Sequence, residues 1–286
     1  MEIITRIKKN LDLLPSLPVS TNKVIELSNK MNITAAELNK VISLDPVLTG
    51  KVIKLVNSAY FSLPNKITSL IQAIVMLGIN TVKNLALSSS VLNNFNSKKY
   101  FKALNIDSYW KHSIAVGVTA KIIASNKKIN KKMLESFFIG GLLHDIGKIL
   151  LNMTYPEKYL EVMNYSDVKK IPLYKVEKEV FGIDHCEVGK MIADKWSFSK
   201  EISFVIQNHH NIEVIKESKE LFFIAIVLSD MFCKYLEIGF SGNKYYDLDF
   251  MYKIADIHKI DLDSLEDNQN IIFQKIKDAE IFLKVV

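Results

Sequence analysis

Arginine is almost missing. Arg6 is the only one in 286 residues, so nearly all of the 37 basic side chains behind a formal charge of +6 are lysines. Guanidinium forks do most phosphate and base-edge recognition, and these lysines are scattered among Asn and Ile rather than gathered on one segment, so nucleic acid is not an expected partner. Cysteine is nearly as scarce. Cys186 and Cys233 cannot build a disulfide framework, and Met1 to Arg6 lack the apolar stretch of a signal peptide, so a reduced, cytoplasmic setting is expected. The longest apolar run, Leu221 to Leu228, is far short of the ~20 residues that cross a bilayer, so no membrane span is expected. Glycine and proline number only 10 and 6 and are nowhere concentrated, which argues against turn-rich sandwiches and barrels.

Helical periodicity fills the space those absences leave. With 49% hydrophobic and 24% charged residues, the chain can bury one large core or two modest ones. Leu14-Pro15-Ser16-Leu17-Pro18 reads as a stiff extended segment with helices soon after it. Thr34 with Glu37 forms a capping box, Asp45-Pro46 an N-cap followed by Pro at the first helical position, and Ser69 opens a helix that Gly78 closes. Val82, Leu85, Ala86, Ser89 and Leu92 carry the period onward. The first hundred residues are therefore expected to be a stack of about five short helices, and they contain no histidine.

A polar stretch from Asn94 to Ile106 reads as a seam. Beyond it, Asp107 is expected to cap a helix through Ala124, Lys132 to Leu151 to form another, and Pro172 to sit in the first turn of a third. Asp184 and Glu187 make an acidic capping box, and Ser199 to Asn208 and Ser218 to Leu236 follow. The last part of the chain opens on a Ser-Gly-Asn turn and shows two amphipathic segments, Leu248 to Ile257 and Asn270 to Leu283. The expected organisation is an N-terminal helical lobe over residues 1–97, a second helical lobe with a metal cleft over 98–240, and a helical extension over 241–286.

Five of the six histidines fall in one pattern: His112, His144 beside Asp145, His185, and the pair His209-His210. His258 is the outlier. With Asp230 they supply the imidazoles and carboxylates of a metal cleft inside a helical bundle. Mixed nitrogen and oxygen donors suit iron, manganese or zinc, and the lack of thiolates argues for an open site over a closed structural zinc site. Asp145 has two oxygens and can bridge two ions. Lys148, four residues after His144, is expected to share its face and to stabilise charge over the cleft. Gly140, Gly141 and Gly147 signal close packing there. Cys186, Trp110 and Trp196, with the Phe137-Phe138 and Phe222-Phe223 pairs, read as core.

The order His112, His144-Asp145, Asp230 resembles that of the HD phosphohydrolase superfamily. More narrowly, Leu44-Asp45-Pro46, Val56-Asn57-Ser58-Ala59-Tyr60, Ala73 to Gly78, Tyr109 to Ser113, Gly141 to Lys148 and Phe181 to Gly189 resemble the HDOD family, over about Leu14 to Asp230. The resemblance implies an all-α fold, with an HD-domain-like lobe packed on an N-terminal one, in a bacterial signalling or regulatory protein related to the HD-GYP enzymes that hydrolyse cyclic di-GMP. It implies that His112, His144, Asp145 and Asp230 match the first metal position, and that His185, His209 and His210 match the ligands of a second. The segment after His210, Asn211-Ile212-Glu213-Val214, lacks the Gly-Tyr-Pro element, which sets this chain apart from those enzymes. Two functions remain open: a regulatory protein acting mainly through a signalling partner, or a metal-dependent phosphohydrolase of a nucleotide or cyclic dinucleotide, with Asp145 and Lys148 as its catalytic groups.

Overall fold

The computed structural model describes residues 2–28, 30, 33–95 and 100–285, and among these it is all helix, without a strand. The first six helices are α1 (Glu2–Asp12), α2 (Val19–Ser28), α3 (Ala35–Ser43), α4 (Pro46–Val56), α5 (Leu70–Leu77) and α6 (Ile79–Phe95). The predicted caps are in place. Thr34 and Glu37 bond reciprocally, Asp45 accepts from Leu48 N with Pro46 behind it, and Ser69 and Gly78 bracket α5. The expectation of about five short helices is corrected to six: α1 was not anticipated, and α6 is a long one of 17 residues.

The chain continues through α7 (Ile106–Asn126), a 3-10 turn at Lys131–Met133, α8 (Leu134–Leu143), α9 (Gly147–Thr154), α10 (Pro156–Lys169), α11 (Leu173–Phe181), α12 (His185–Lys195), α13 (Lys200–Asn208), α14 (Ile212–Glu217) and α15 (Leu221–Tyr235). Asn105, not Asp107, caps α7, because its side chain is the one that reaches Ser108 N. Pro172 stands just outside α11 as its N-cap residue. The single helix expected over Lys132 to Leu151 is two, broken at His144 to Ile146 by tight turns in which Ile146 N bonds Leu143 O and Lys148 N bonds Asp145 O. The remaining elements are α16 (Leu248–Ile257), α17 (Leu262–Asp267), α18 (Gln269–Ala279) and α19 (Ile281–Lys284).

A continuous apolar core runs from Ile7 to Val285. Several contacts tie the first helices to the later ones. Asn10 on α1 bonds Thr154 at the end of α9, and Arg6 lies 4.9 Å over the Tyr155 ring. Tyr100, Phe101 and Leu104, within the polar stretch read as a seam, are buried, and Asn152 accepts from Ala103 N and Leu104 N. The boundary placed at 97/98 lies outside the described residues. No helix among the described residues is long and apolar enough to cross a membrane.

α7 packs on α8 and α15, and α9 on α12. Glycines set these approaches. A Cβ on Gly141 would meet Gly117 N at 2.5 Å, and one on Gly147 would meet His185 O at 1.9 Å and Gly189 N at 2.5 Å. These are backbone atoms and cannot swing aside. Gly147→Ala is therefore expected to destabilise the fold by about 3 kcal/mol or more, read from the urea midpoint. Gly50→Ala is the control: it meets nothing within 4 Å and is exposed on α4, so it should change stability by no more than about 1 kcal/mol, in the stabilising direction. Equal effects of the two substitutions would contradict the packing described.

Candidate metal centre

Each predicted ligand stands where a helix starts, stops or crosses another. His112 lies within α7, His144 caps the C-terminus of α8, and Asp145 follows it in the turn before α9. His185 opens α12 behind the Asp184–Glu187 capping box, His209 caps α13 with His210 after it, and Asp230 lies within α15. The seven converge. His112, His144, Asp145 and Asp230 form one set of donor atoms within 4.8 Å of one another, and Asp145, His185, His209 and His210 form a second. Asp145 belongs to both, and all except the half-buried His210 are removed from solvent. His258 stands apart, at the end of α16.

The imidazoles are held from behind. His144 Nδ1 lies 2.6 Å from Gly141 O, His209 Nδ1 3.0 Å from Ile206 O, and His112 Nδ1 3.3 Å from Ile238 O. A carbonyl only accepts, so each Nδ1 carries a proton and each Nε2 is turned to the interior. His185 is held more strongly: Glu177 Oε2 accepts from its Nδ1 at 2.5 Å and from its backbone N at 2.9 Å. Glu177 is fully buried and also accepts from Tyr159 Oη at 2.7 Å.

The centre is split across the two oxygens of Asp145. Oδ1 lies 3.4 Å from both His185 Nε2 and His209 Nε2, while Oδ2 lies 3.3 Å from His144 Nε2. Asp230 Oδ1 is 3.0 Å from His112 Nε2 and 3.5 Å from His144 Nε2. His144 Nε2, Asp145 Oδ1 and His185 Nε2 are buried without a hydrogen-bond partner among the described residues. Unpaired buried polar atoms are costly, and three at one point call for something to bind them. Donor atoms ~2.1 Å from a shared ion lie ~3.0–3.4 Å from each other, which is the spacing seen, so the residues fit a divalent metal.

Two ammonium groups complete the charge balance. Lys148 Nζ bonds Asp145 Oδ2 at 2.7 Å and Ser241 Oγ at 3.3 Å, and is wholly buried. The predicted shared face with His144 does not arise, because the helix breaks between them. Lys234 Nζ bonds Asp230 Oδ2 at 2.8 Å. Burial opposes ionisation of Asp145, yet the His144 ring and Lys148 hold its carboxyl well below the usual range; Asp230 is held down in the same way by Lys234 and His112. Burial pushes His209 down to about 4. Burial also opposes the charged form of His144, but the Asp145 and Asp230 carboxylates prevail and raise it to about 9. A metal ion against those carboxylates takes over the role of that proton.

Sequence reasoning missed Glu177, Tyr159, Lys234 and Ser241. Lys234 had a signal, its four-residue spacing from Asp230 on one helix face. The other three reach the centre across loops. Cys186 is core as read: burial pushes its thiol well up, so it stays protonated 3.7 Å from His209 Nδ1. A cleft of about 190 Å³ opens beside the centre, and its lining includes His209, His210, Asp230, Lys234, Tyr174 and Tyr245. Tyr174 stacks on His210 at 5.0 Å.

Comparison with known proteins agrees with this architecture. Residues 14–212 match the HDOD domain family. An uncharacterised protein of Treponema pallidum (strain Nichols) is 22% identical over 239 residues, which are 82% of this chain and 45% of that protein, so the chain spans about half the length of the curated relative it matches. The crystal structure of an HDOD domain protein of unknown function from Geobacter sulfurreducens has 23% identity and a TM-score of 0.74, covering 97% of each chain. That of a Marinobacter aquaeolei VT8 protein, provisionally named a signal transduction protein, has 18% identity and a TM-score of 0.74, covering 97% of this chain and 60% of that one. Both share the fold.

The shifted groups set the pH behaviour of the metal-free protein. Below about pH 6.5 the unfolded chain binds more protons than the folded one, because His209 titrates near 4 when folded and the depressed Asp145 and Asp230 hold off protons further. Stability should therefore fall as pH drops from 6.5 to 4. His144 works on the other side: its contribution is full below pH 6.5 and is lost as pH rises through about 9. The urea midpoint of chelator-treated protein should peak near neutrality and decline in both directions. A midpoint that climbs toward pH 4 would contradict the burial of these groups.

Proposed function

This chain belongs to the HDOD family, and from that membership we propose that it is a signal-transduction module whose His/Asp centre holds divalent iron, manganese or zinc, with Asp145 able to serve two ions, and which works through a protein partner. The observation that carries this reading is the engagement of Lys148. The ammonium that a phosphoryl group over Asp145 would require is buried beneath the carboxylate and tied to Asp145 and Ser241. His112, His144, Asp145 and His185 are likewise sealed from solvent. A centre built this way orders the ends of α8, α12 and α13 around an ion. The segment after His210 supports the same reading, since Asn211 caps α14 there in place of a Gly-Tyr-Pro element.

The cleft over His210, Asp230 and Lys234 favours a second reading, hydrolysis of a nucleotide or cyclic dinucleotide phosphoester. A divalent ion there would supply Lewis acidity toward a phosphoryl oxygen. From the chain itself, Lys234 would offset phosphate charge in the cleft, and the Tyr174 and Tyr245 rings that line it would offer faces to an aromatic base.

Anaerobic loading of the full chain with Fe(II), Mn(II) or Zn(II), followed by elemental analysis and a panel of phosphomonoesters, nucleotides and cyclic dinucleotides, separates the readings. The expected outcome is retained metal with hydrolysis no faster than that of Asp145→Asn. Turnover that disappears in Asp145→Asn would move the function to the second reading. Failure to retain any metal would remove both.

A further inference from the structure

The charges around the centre are unevenly shared between its two halves. Both lysines stand on one side: Lys148 Nζ on Asp145 Oδ2 at 2.7 Å, and Lys234 Nζ on Asp230 Oδ2 at 2.8 Å. Lys148 thus holds the oxygen next to His144, and Lys234 holds the other oxygen of the carboxylate whose Oδ1 lies 3.0 Å from His112 Nε2 and 3.5 Å from His144 Nε2. Among the described residues no ammonium contacts the opposite side, although Lys148 is within electrostatic reach of Glu177 and Lys234 of His210. Asp145 Oδ1 and His185 Nε2 are buried and bare, and behind His185 stands the Glu177 carboxylate, whose one ion-pair partner among the described residues is His185 itself.

We propose that the centre fills in a fixed order: the Asp145–His185–His209–His210 position takes the first divalent ion tightly, and the His112–His144–Asp145–Asp230 position takes a second only weakly. In this account Lys148 and Lys234 act as built-in substitutes for the second ion. The inference rests on the metal-holding reading above and goes beyond it by ranking the two positions.

The physical argument is one of buried charge. An ion entering beside His112 and His144 must share two carboxylates with two ammonium groups already in contact with them, in an interior where screening is weak. An ion entering beside His185 meets an unpaired carboxylate oxygen and an unpaired imidazole nitrogen, so it satisfies two buried orphans. Glu177 makes that imidazole a stronger donor through the hydrogen bond at 2.5 Å, as carboxylate partners of metal-bound histidines do. His144 Nε2 is bare too, which keeps the second position available, but its neighbouring oxygens at 3.3 and 3.5 Å belong to the carboxylates that the lysines hold. Glu177 is accordingly a positioning residue for one half of the centre only.

The test is a titration of the full, metal-free chain with Mn(II), read by calorimetry and by electron paramagnetic resonance, with metal per chain from elemental analysis. Two steps should appear, the first at least about tenfold tighter than the second. Glu177→Gln keeps the shape and removes the charge; it should weaken the first step by about 10- to 100-fold and leave the second in place. A purely structural role for Glu177 would weaken both steps together and overturn its assignment. His112→Gln should abolish the second step and spare the first, and Lys234→Met should tighten the second by about tenfold or more. Loss of the tight ion in His112→Gln, with its retention in Glu177→Gln, would overturn the ranking. Should Lys234→Met fail to fold, as a melting curve would show, the His112→Gln and Glu177→Gln pair decides alone. No uptake of manganese, iron or zinc by the wild-type chain would sink the metal-holding reading itself, an outcome distinct from uptake in the wrong order.

Discussion

The carboxylate of Asp145 is the contact on which the centre turns. It is withdrawn completely from water, and each oxygen serves a different set of neighbours, with imidazoles of α12 and α13 on one and that of His144 with Lys148 on the other. A buried anion so placed is tolerable only if its surroundings arrive already oriented, because an unpaired charge in the interior costs several kcal/mol. The orientation comes from behind: backbone carbonyls fix His112, His144 and His209, and a second carboxylate fixes His185. Removing any one of these backing acceptors would free a ring to rotate and leave Asp145 facing an empty direction.

The helices deliver the ligands through their ends and crossings more than through their faces. His144 and His209 terminate helices and His185 begins one, so three imidazoles sit where the backbone changes direction. That arrangement needs backbones to touch. Gly147 lies against His185 O, Gly141 against Gly117, and Gly239, at a positive φ of 70°, against His112 N, so an added methyl at any of them would push a ligand-bearing segment away. The Ile238 carbonyl that holds His112 comes from the residue just before that last glycine. Local backbone shape and donor geometry are therefore one problem in this chain, not two.

How much of this could be read from the sequence follows from the range of the interactions. Most signals complete within a few residues were legible: the capping boxes at Thr34 and Asp184, the Asp45-Pro46 start and the Ser69 and Gly78 ends of α5 stand as read, while Asp107 yields its cap to Asn105 and Pro172 stands one residue outside α11. The convergence of the seven candidate ligands was legible because histidine is rare here and their order resembles a known one. The break at His144 was not, since apolar periodicity runs on through Ile146, Ile149 and Leu150 while the turn is imposed by the close approach of α12. Helices α10 and α14 went unread: polar residues dominate α10, and α14 is a short link of 6 residues. Glu177 and Ser241 were out of reach for a simpler reason. Their partners, His185 and Lys148, are brought to them only by the completed fold.

One contact far from the centre ties the carboxyl-terminal helix to it. Phe282 on α19 is fully buried, with its ring 4.7 Å from that of Phe138 and 5.2 Å from that of Tyr60. Phe138 lies on α8, the helix that His144 terminates. The closing helix is thus wedged between the first stack of helices and the rod that carries a ligand, with no slack linker between. A pull or a twist exerted on the carboxyl-terminal segment would be passed on to the position of that imidazole as through a lever arm.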